Sequence, residues 1–168
     1  MGAGNWESHH AITKLMFRYA ECVDTADFDG LSELFARGVL TSSAAADPGE
    51  GMRGADVGRF YAATNKVHED GTLRTRHLAT NLIVEIEEDA DTATARSYYV
   101  VLQATGKLPF QAIVGGRYED DFLRTEGQWH FARRLIHVDQ IGDMSEHLTF
   151  DLAQGNIRHE EVVPPRSR

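Results

Sequence analysis

Apolar residues in the first two dozen positions recur at helical spacing: Ile12, Leu15, Met16, Tyr19 and Val23 fall on one stripe. That pattern predicts an amphipathic helix over 6–24, with Asn5 as its N-cap and Glu7 in its first turn. A second, short helix begins near Asp27, a good capping residue, and turns Leu31, Leu34 and Phe35 inward until Gly38 breaks the pattern. Residues 39–43 read as a short strand, and 44–54, rich in Ala, Asp, Gly and Pro, as a loop. A third helix over 55–66 has Val57, Phe60 and Tyr61 on its apolar side.

Beyond 74 the period changes from helical to alternating. Segments 74–88, 92–105, 109–125 and 127–139 read as long strands separated by turn residues at 88–91, 106–109 and 125–127. Three helices followed by consecutive strands predict an α+β fold, a curved and mostly antiparallel sheet wrapped over the N-terminal helices. Residues 1–140 form one domain in this reading. Residues 141–168 are an extension with weaker periodicity that packs on the domain or on a neighbouring subunit, its last residues mobile.

Composition narrows the functional classes. The chain of 168 residues suits a single domain, and one of this size buries roughly two thirds of its unfolded surface. A formal net charge of −9 leaves no excess of cations to neutralise phosphates, which argues against nucleic acid and anionic membrane as partners. Cys22 is the single cysteine, so an intramolecular disulfide and a Cys-based zinc site are excluded. Its place among the apolar positions of the first helix reads as a buried, inert thiol. The N-terminus lacks the basic start and apolar run of a signal peptide, and no stretch reaches the roughly 18 apolar residues of a membrane span. The expected location is cytoplasmic.

Four residues carry candidate chemistry, each with two readings. Tyr19 lies in the apolar stripe, so its hydroxyl points inward and needs a partner, either a backbone carbonyl or a ligand oxygen. Asp24 closes the first helix, where the macrodipole disfavours a carboxylate; it is either a solvated turn residue or is held by a basic side chain. His77 opens the strand RHLATNLIVEI. Strict alternation puts His77, Ala79, Asn81 and Ile83 on one face and Leu82, Val84 and Ile86 on the other, and a bulge would alter which face is internal. In WHFARRLIHV, Arg134 shares a face with Ile136 and Val138, and Arg133 lies on the other; a buried arginine there requires an anionic partner. The remaining histidines show no metal-ligand spacing, and no phosphate loop, dinucleotide fingerprint or nucleophile elbow is present.

The element order resembles that of the SnoaL-like domains of the nuclear transport factor 2-like superfamily. AITKLMFRYAECVDTADFDGLSELF resembles their opening helix pair, RHLATNLIVEI their His-x3-Asn strand and GGRYEDDFLRTEGQWHFARRLI their final hairpin, so the likeness covers roughly residues 8–140. It implies a cone-shaped sheet around an apolar pocket. The motifs are most similar to the dehydratase-like members, among them scytalone dehydratase, bile-acid dehydratase and hexachlorocyclohexane dehydrochlorinase.

That likeness implies a catalytic set of Asp24, His77, Tyr19 and Arg134, with substrate-binding positions at Phe60, Val100, Ile136 and Val138. It also implies a lyase with no metal or other cofactor, acting by acid–base elimination on a small hydrophobic molecule. A polyketide cyclase or isomerase would use the same pocket. For the ketosteroid isomerases of this fold, the position of the catalytic carboxylate falls on Ser43, so that proton shuttle lacks its base. A non-catalytic scaffold like the β subunits of ring-hydroxylating dioxygenases is the alternative from another class. Self-assembly is implied as well, as a homotrimer like the dehydratase-like relatives or as a dimer like the isomerase branch.

Overall fold

The computed structural model describes residues 3–43 and 51–150. Helix α1 (Ala3–Asp24) buries Ile12, Met16, Tyr19 and Val23 on the stripe their spacing sets. Asn5 lies inside this helix rather than capping it, because the helix is already formed at Ala3. Helix α2 (Phe28–Leu34) begins as its sequence dictates: the Asp27 carboxylate accepts the N–H of Gly30 at 2.9 Å. Asp27→Ala is therefore expected to cost about 1 kcal/mol in a urea melt. The strand β1 (Val39–Ser42) follows, then α3 (Ala55–Thr64). α3 stops two residues short of the predicted end because Asn65 turns extended and bridges Leu148.

Four long strands complete the fold: β2 (Thr75–Glu87), β3 (Thr92–Gln103), β4 (Gln111–Thr125) and β5 (Gln128–Ile141). The sheet order is β1-β5-β4-β3-β2, with only the β1–β5 pair parallel. α1 packs on β2 and β5, and α2 packs on α3. The predicted α+β arrangement, three helices with a curved, mostly antiparallel sheet, is the one observed. Residues 44–50 of the predicted loop, and residues 151–168 of the extension with the mobile end expected there, lie outside the described residues.

Bulges decide which side chains face the helices. In β2 the register shifts between Thr80 and Ile83, and Asn81 there has φ 52°, a left-handed value that asparagine tolerates better than most residues. The shift cancels strict alternation. His77 and Ala79 thus share the inner face with Leu82, Val84 and Ile86, while Asn81 and Ile83 turn outward. In the β4–β5 hairpin, Thr125 pairs with Gln128 and Phe122 with Phe131, and unbroken pairing would set Asp120 opposite Arg133. A bulge between Asp121 and Phe122 moves the register by one, so Asp120 meets Arg134 and Asp121 meets Arg133. The first pair faces inward and the second outward.

Directly paired residues form rows across the inner face. One row is His77–Val101–Val114–Ile141, the next Ala79–Tyr99–Gly116–Val138, then Ser97–Tyr118–Ile136, then Ala95–Asp120–Arg134–Leu40. Gly116 is required in its row, because a Cβ would overlap the His137 carbonyl and press on the Tyr99 ring. Val138 and Ile141, inward by register, remain 40% and 61% exposed, whereas Arg134 is fully buried. The cone is open at the His77 end and closed at the Arg134 end.

Candidate active site

At the open end the carboxylate of Asp24 meets the first residues of β2. Its Oδ1 lies 2.6 Å from Nδ1 of His77 and accepts the Thr75 hydroxyl at 2.6 Å. Its Oδ2 accepts the backbone N–H of His77 at 3.0 Å. The helix end that disfavours this charge is thus offset by three donors when Nδ1 is protonated. Burial pushes the Asp24 carboxyl up, but the bonds from His77 and Thr75 together outweigh it and hold the group below its ordinary value. The imidazole and carboxylate side chains are 9% and 13% exposed, so the contact is sheltered without being sealed. Among the described residues, Nε2 of His77 takes no hydrogen bond. The arrangement fixes a proton on Nδ1 and presents a bare Nε2, the form in which imidazole is a base.

His147 stands beside this pair. It is 6% exposed, and burial together with the neighbouring His77 lowers its pKa to about 4, opposed by Asp24. Its segment is tied down where the Lys66 N–H donates to the His147 carbonyl at 2.8 Å and Asn65 bridges Leu148. The unfolded histidine takes a proton near pH 6.5 and the folded one near 4, so the unfolded state binds more protons between those values. Stability therefore falls as pH drops through that window, by on the order of 3 kcal/mol in all. Guanidinium melts from pH 7 to pH 4 should show this slope in the native protein and lose it in His147→Phe.

The closed end holds Arg134. Its Nε and Nη2 each donate to Asp120 at 2.7 Å, and its guanidinium carbon lies 4.2 Å from the Tyr118 ring centre, 4.3 Å from Tyr19 and 4.8 Å from Phe131. Burial pushes the Asp120 carboxyl up against the pull of Arg134. Burial also works against the guanidinium's charge, yet Asp120 more than compensates and keeps it cationic. This corrects the reading of Arg134 as a stabiliser of departing charge. Its charge is already matched, and its row lies six residues along β3 from that of His77, roughly 20 Å of strand.

Tyr19 covers one face of the Arg134 guanidinium with its ring. Its hydroxyl is 2.6 Å from that of Tyr61, a side-chain partner rather than the backbone carbonyl considered from the sequence. Burial raises both phenols above their ordinary value, so both stay protonated. One proton is used between the two oxygens, which leaves the other hydroxyl hydrogen for a third oxygen.

Of the remaining candidates, Ile136 is on the inner face opposite Tyr118, and Val138 is on the same face at the open rim. Phe60 packs edge-on against Tyr61 at 6.1 Å. Val100 does not line the interior: alternation along β3 turns Tyr99 and Val101 inward and Val100 outward. Burial raises the Cys22 thiol to about 11, as expected of an inert cysteine.

Sequence reading passed over Thr75, Tyr61, Asp120 and His147. A serviceable signal existed only for Asp120, through the paired Asp-Asp and Arg-Arg of the hairpin. Among the described residues, no three His, Cys, Asp or Glu converge in a way that could hold a metal ion, and no helix is long and apolar enough to cross a membrane.

A groove of about 660 Å³ lies on the outer face of the sheet, lined among others by Ile83, Arg96, Tyr98, Arg117, Asp121 and Arg133. No imidazole–carboxylate pair lines it, and its charges are partly spent in the Arg133–Asp121 and Arg117–Asp139 bonds at 2.7 and 2.8 Å. The Asp24–His77 pair lies on the opposite, inner face.

A family model for the SnoaL-like domain matches residues 5–135. No curated protein matches the chain. Three solved structures from Novosphingobium aromaticivorans are similar to it. An NTF2-like protein with a cystatin-like fold has 23% identity and a TM-score of 0.65 over 84% of this chain and 87% of its own. A protein provisionally named scytalone dehydratase has 22% identity and a TM-score of 0.63, covering 85% and 91%. The β subunit of a provisionally named aromatic-ring-hydroxylating dioxygenase has 18% identity and a TM-score of 0.59, covering 82% and 93%. These three likenesses establish the fold, and the family match covers most of the chain. The protein belongs to the SnoaL-like domain family.

Proposed function

We propose that this protein is a dehydratase-like lyase that acts on a small hydrophobic, cyclic molecule through the Asp24–His77 pair. The observation that carries the reading is the 2.6 Å contact between Nδ1 and the carboxylate, which leaves Nε2 unbonded at the open end of the cone. Nε2 removes a proton from the carbon next to a carbonyl. The released electron pair forms the C=C bond as the β-substituent leaves with its own electrons. For a β-hydroxyl, the imidazolium returns the proton and water departs. Asp24 holds the tautomer and stabilises the transient imidazolium. The spare hydrogen of the Tyr19–Tyr61 pair is offered to the carbonyl oxygen as negative charge develops there. Each proton is accounted for by the chain's own side chains.

The test uses purified protein without added metal or nucleotide. Cyclic β-hydroxy ketones are supplied in D2O while NMR follows α-hydrogen exchange and absorbance follows the conjugated product. Wild type should exchange and eliminate, and folded His77→Ala should do neither. Equal behaviour of the two proteins would overturn the assignment. Exchange without elimination would point to the isomerase or cyclase reading, and no reaction with any ketone to a scaffold resembling the dioxygenase β subunit. Self-assembly as a homotrimer belongs to the same proposal. It is supported by Leu78, Ile83, Tyr98 and Leu123 exposed on the outer sheet face, and light scattering that gives a monomer mass would contradict it.

A further inference from the structure

A second set of polar groups lies at the open end, and the elimination step makes no use of it. Gln103 is fully buried on the inner face in the row that begins with Thr75, whose hydroxyl holds Asp24. Its Nε2 donates to the carbonyls of Leu73 at 3.0 Å and Glu146 at 3.1 Å, which fixes the amide orientation and makes Oε1 an acceptor. Among the described residues, that Oε1 has no donor. The next residue after Glu146 is His147, whose buried Nδ1 also has no partner. Two buried polar atoms without partners, on residues linked through the Gln103–Glu146 bond and close to the Asp24–His77 pair, are uncommon, since each such atom destabilises the fold unless something fills its need.

Their chemistry is complementary. Gln103 Oε1 can only accept, and a neutral imidazole can donate from Nδ1. A hydroxyl group answers both, giving its proton to Gln103 and taking one from His147; a bare carbonyl or an ether satisfies only His147, and a carboxylate would face the acceptor oxygen unfavourably. We propose that Gln103 and His147 form a recognition site for a hydroxyl of the bound molecule. The proposal rests on the functional reading above for the site's location, and it makes His147 a specificity-determining residue rather than a proton carrier. Its lowered pKa agrees with that role, because the ring stays neutral at pH 7. The segment carrying His147 is anchored independently of any ligand: Lys66 Nζ donates to the Ser145 carbonyl at 2.5 Å and the Thr149 hydroxyl to the Ala63 carbonyl at 2.9 Å. The imidazole is therefore held in place before a ligand arrives.

Binding, not turnover, tests this. A hydroxydecalone and its parent decalone are titrated calorimetrically into wild type and into His77→Ala, which removes the base and leaves the hydroxyl site intact. Both proteins should prefer the hydroxylated ring by roughly tenfold. His147→Phe should bring that preference close to one while keeping or raising Tm, and His147→Gln, which restores a donor, should recover at least threefold. A preference unchanged in His147→Phe, a Tm that falls by several degrees with the preference intact, or no preference in wild type would each overturn the proposal. Failure of the elimination chemistry would instead show as absent exchange with the hydroxyl preference preserved.

Discussion

Asp120→Ala is expected to destabilise the folded protein by about 3–5 kcal/mol, because it leaves the Arg134 guanidinium charged, fully buried and without its carboxylate. Three aromatic rings surround that guanidinium, and Nη1 already lacks a hydrogen-bond partner among the described residues, so nothing nearby can replace two lost charge-assisted bonds. The neighbouring hairpin pair is the internal control. Asp121 and Arg133 make a similar 2.7 Å bond, yet both side chains are 42% exposed, and Asp121→Ala should cost less than about 1 kcal/mol. Replacing both inner partners by apolar residues, Asp120→Leu with Arg134→Met, should recover much of the loss. Urea melts of the four proteins check this. Equal losses for Asp120→Ala and Asp121→Ala would refute the description of the closed end.

The largest effect on activity is expected at the open end. His77→Ala should lower kcat/KM for elimination by about 10²–10⁴-fold, the usual scale for losing a general base. Asp24→Asn should fall in the same range for a different reason. Its amide would donate to Nδ1, draw the proton to Nε2 and so remove the lone pair that attacks the substrate. Circular dichroism should show both variants folded, since α1 and β2 are held together by the wider packing of Ile12, Met16 and Val23. Asp24→Asn with unchanged kcat/KM would separate the carboxylate from the chemistry.

The architecture was legible because its signals are local. The apolar stripe of α1, Asp27 as a cap and the long alternating strands are each set by neighbours in sequence. The site was legible only in part, because bulges set side-chain direction and alternation alone cannot find them. With strict alternation His77 opposes Leu82, Val84 and Ile86; the left-handed Asn81 brings them to one face. One register step in the hairpin gives Asp120 to Arg134 and turns a candidate catalytic arginine into a structural one. Val100 was misplaced for a different reason: an apolar residue in a strand flanked by apolar neighbours gives no hint of its face, and it belongs with the outward set. His147 carried no signal at all. Its segment has weak periodicity, and its position depends on distant contacts with Asn65, Lys66 and Gln103.

The most direct test needs no substrate. Nitrogen-15 and proton NMR of the neutral His77 ring should report one tautomer, with the proton on Nδ1, shifted far downfield by the short bond to Asp24, and a bare Nε2. In Asp24→Asn the downfield proton should vanish and the hydrogen should move to Nε2. A His77 ring in wild type that averages its two tautomers like free imidazole would contradict the poised base at the open end of the cone.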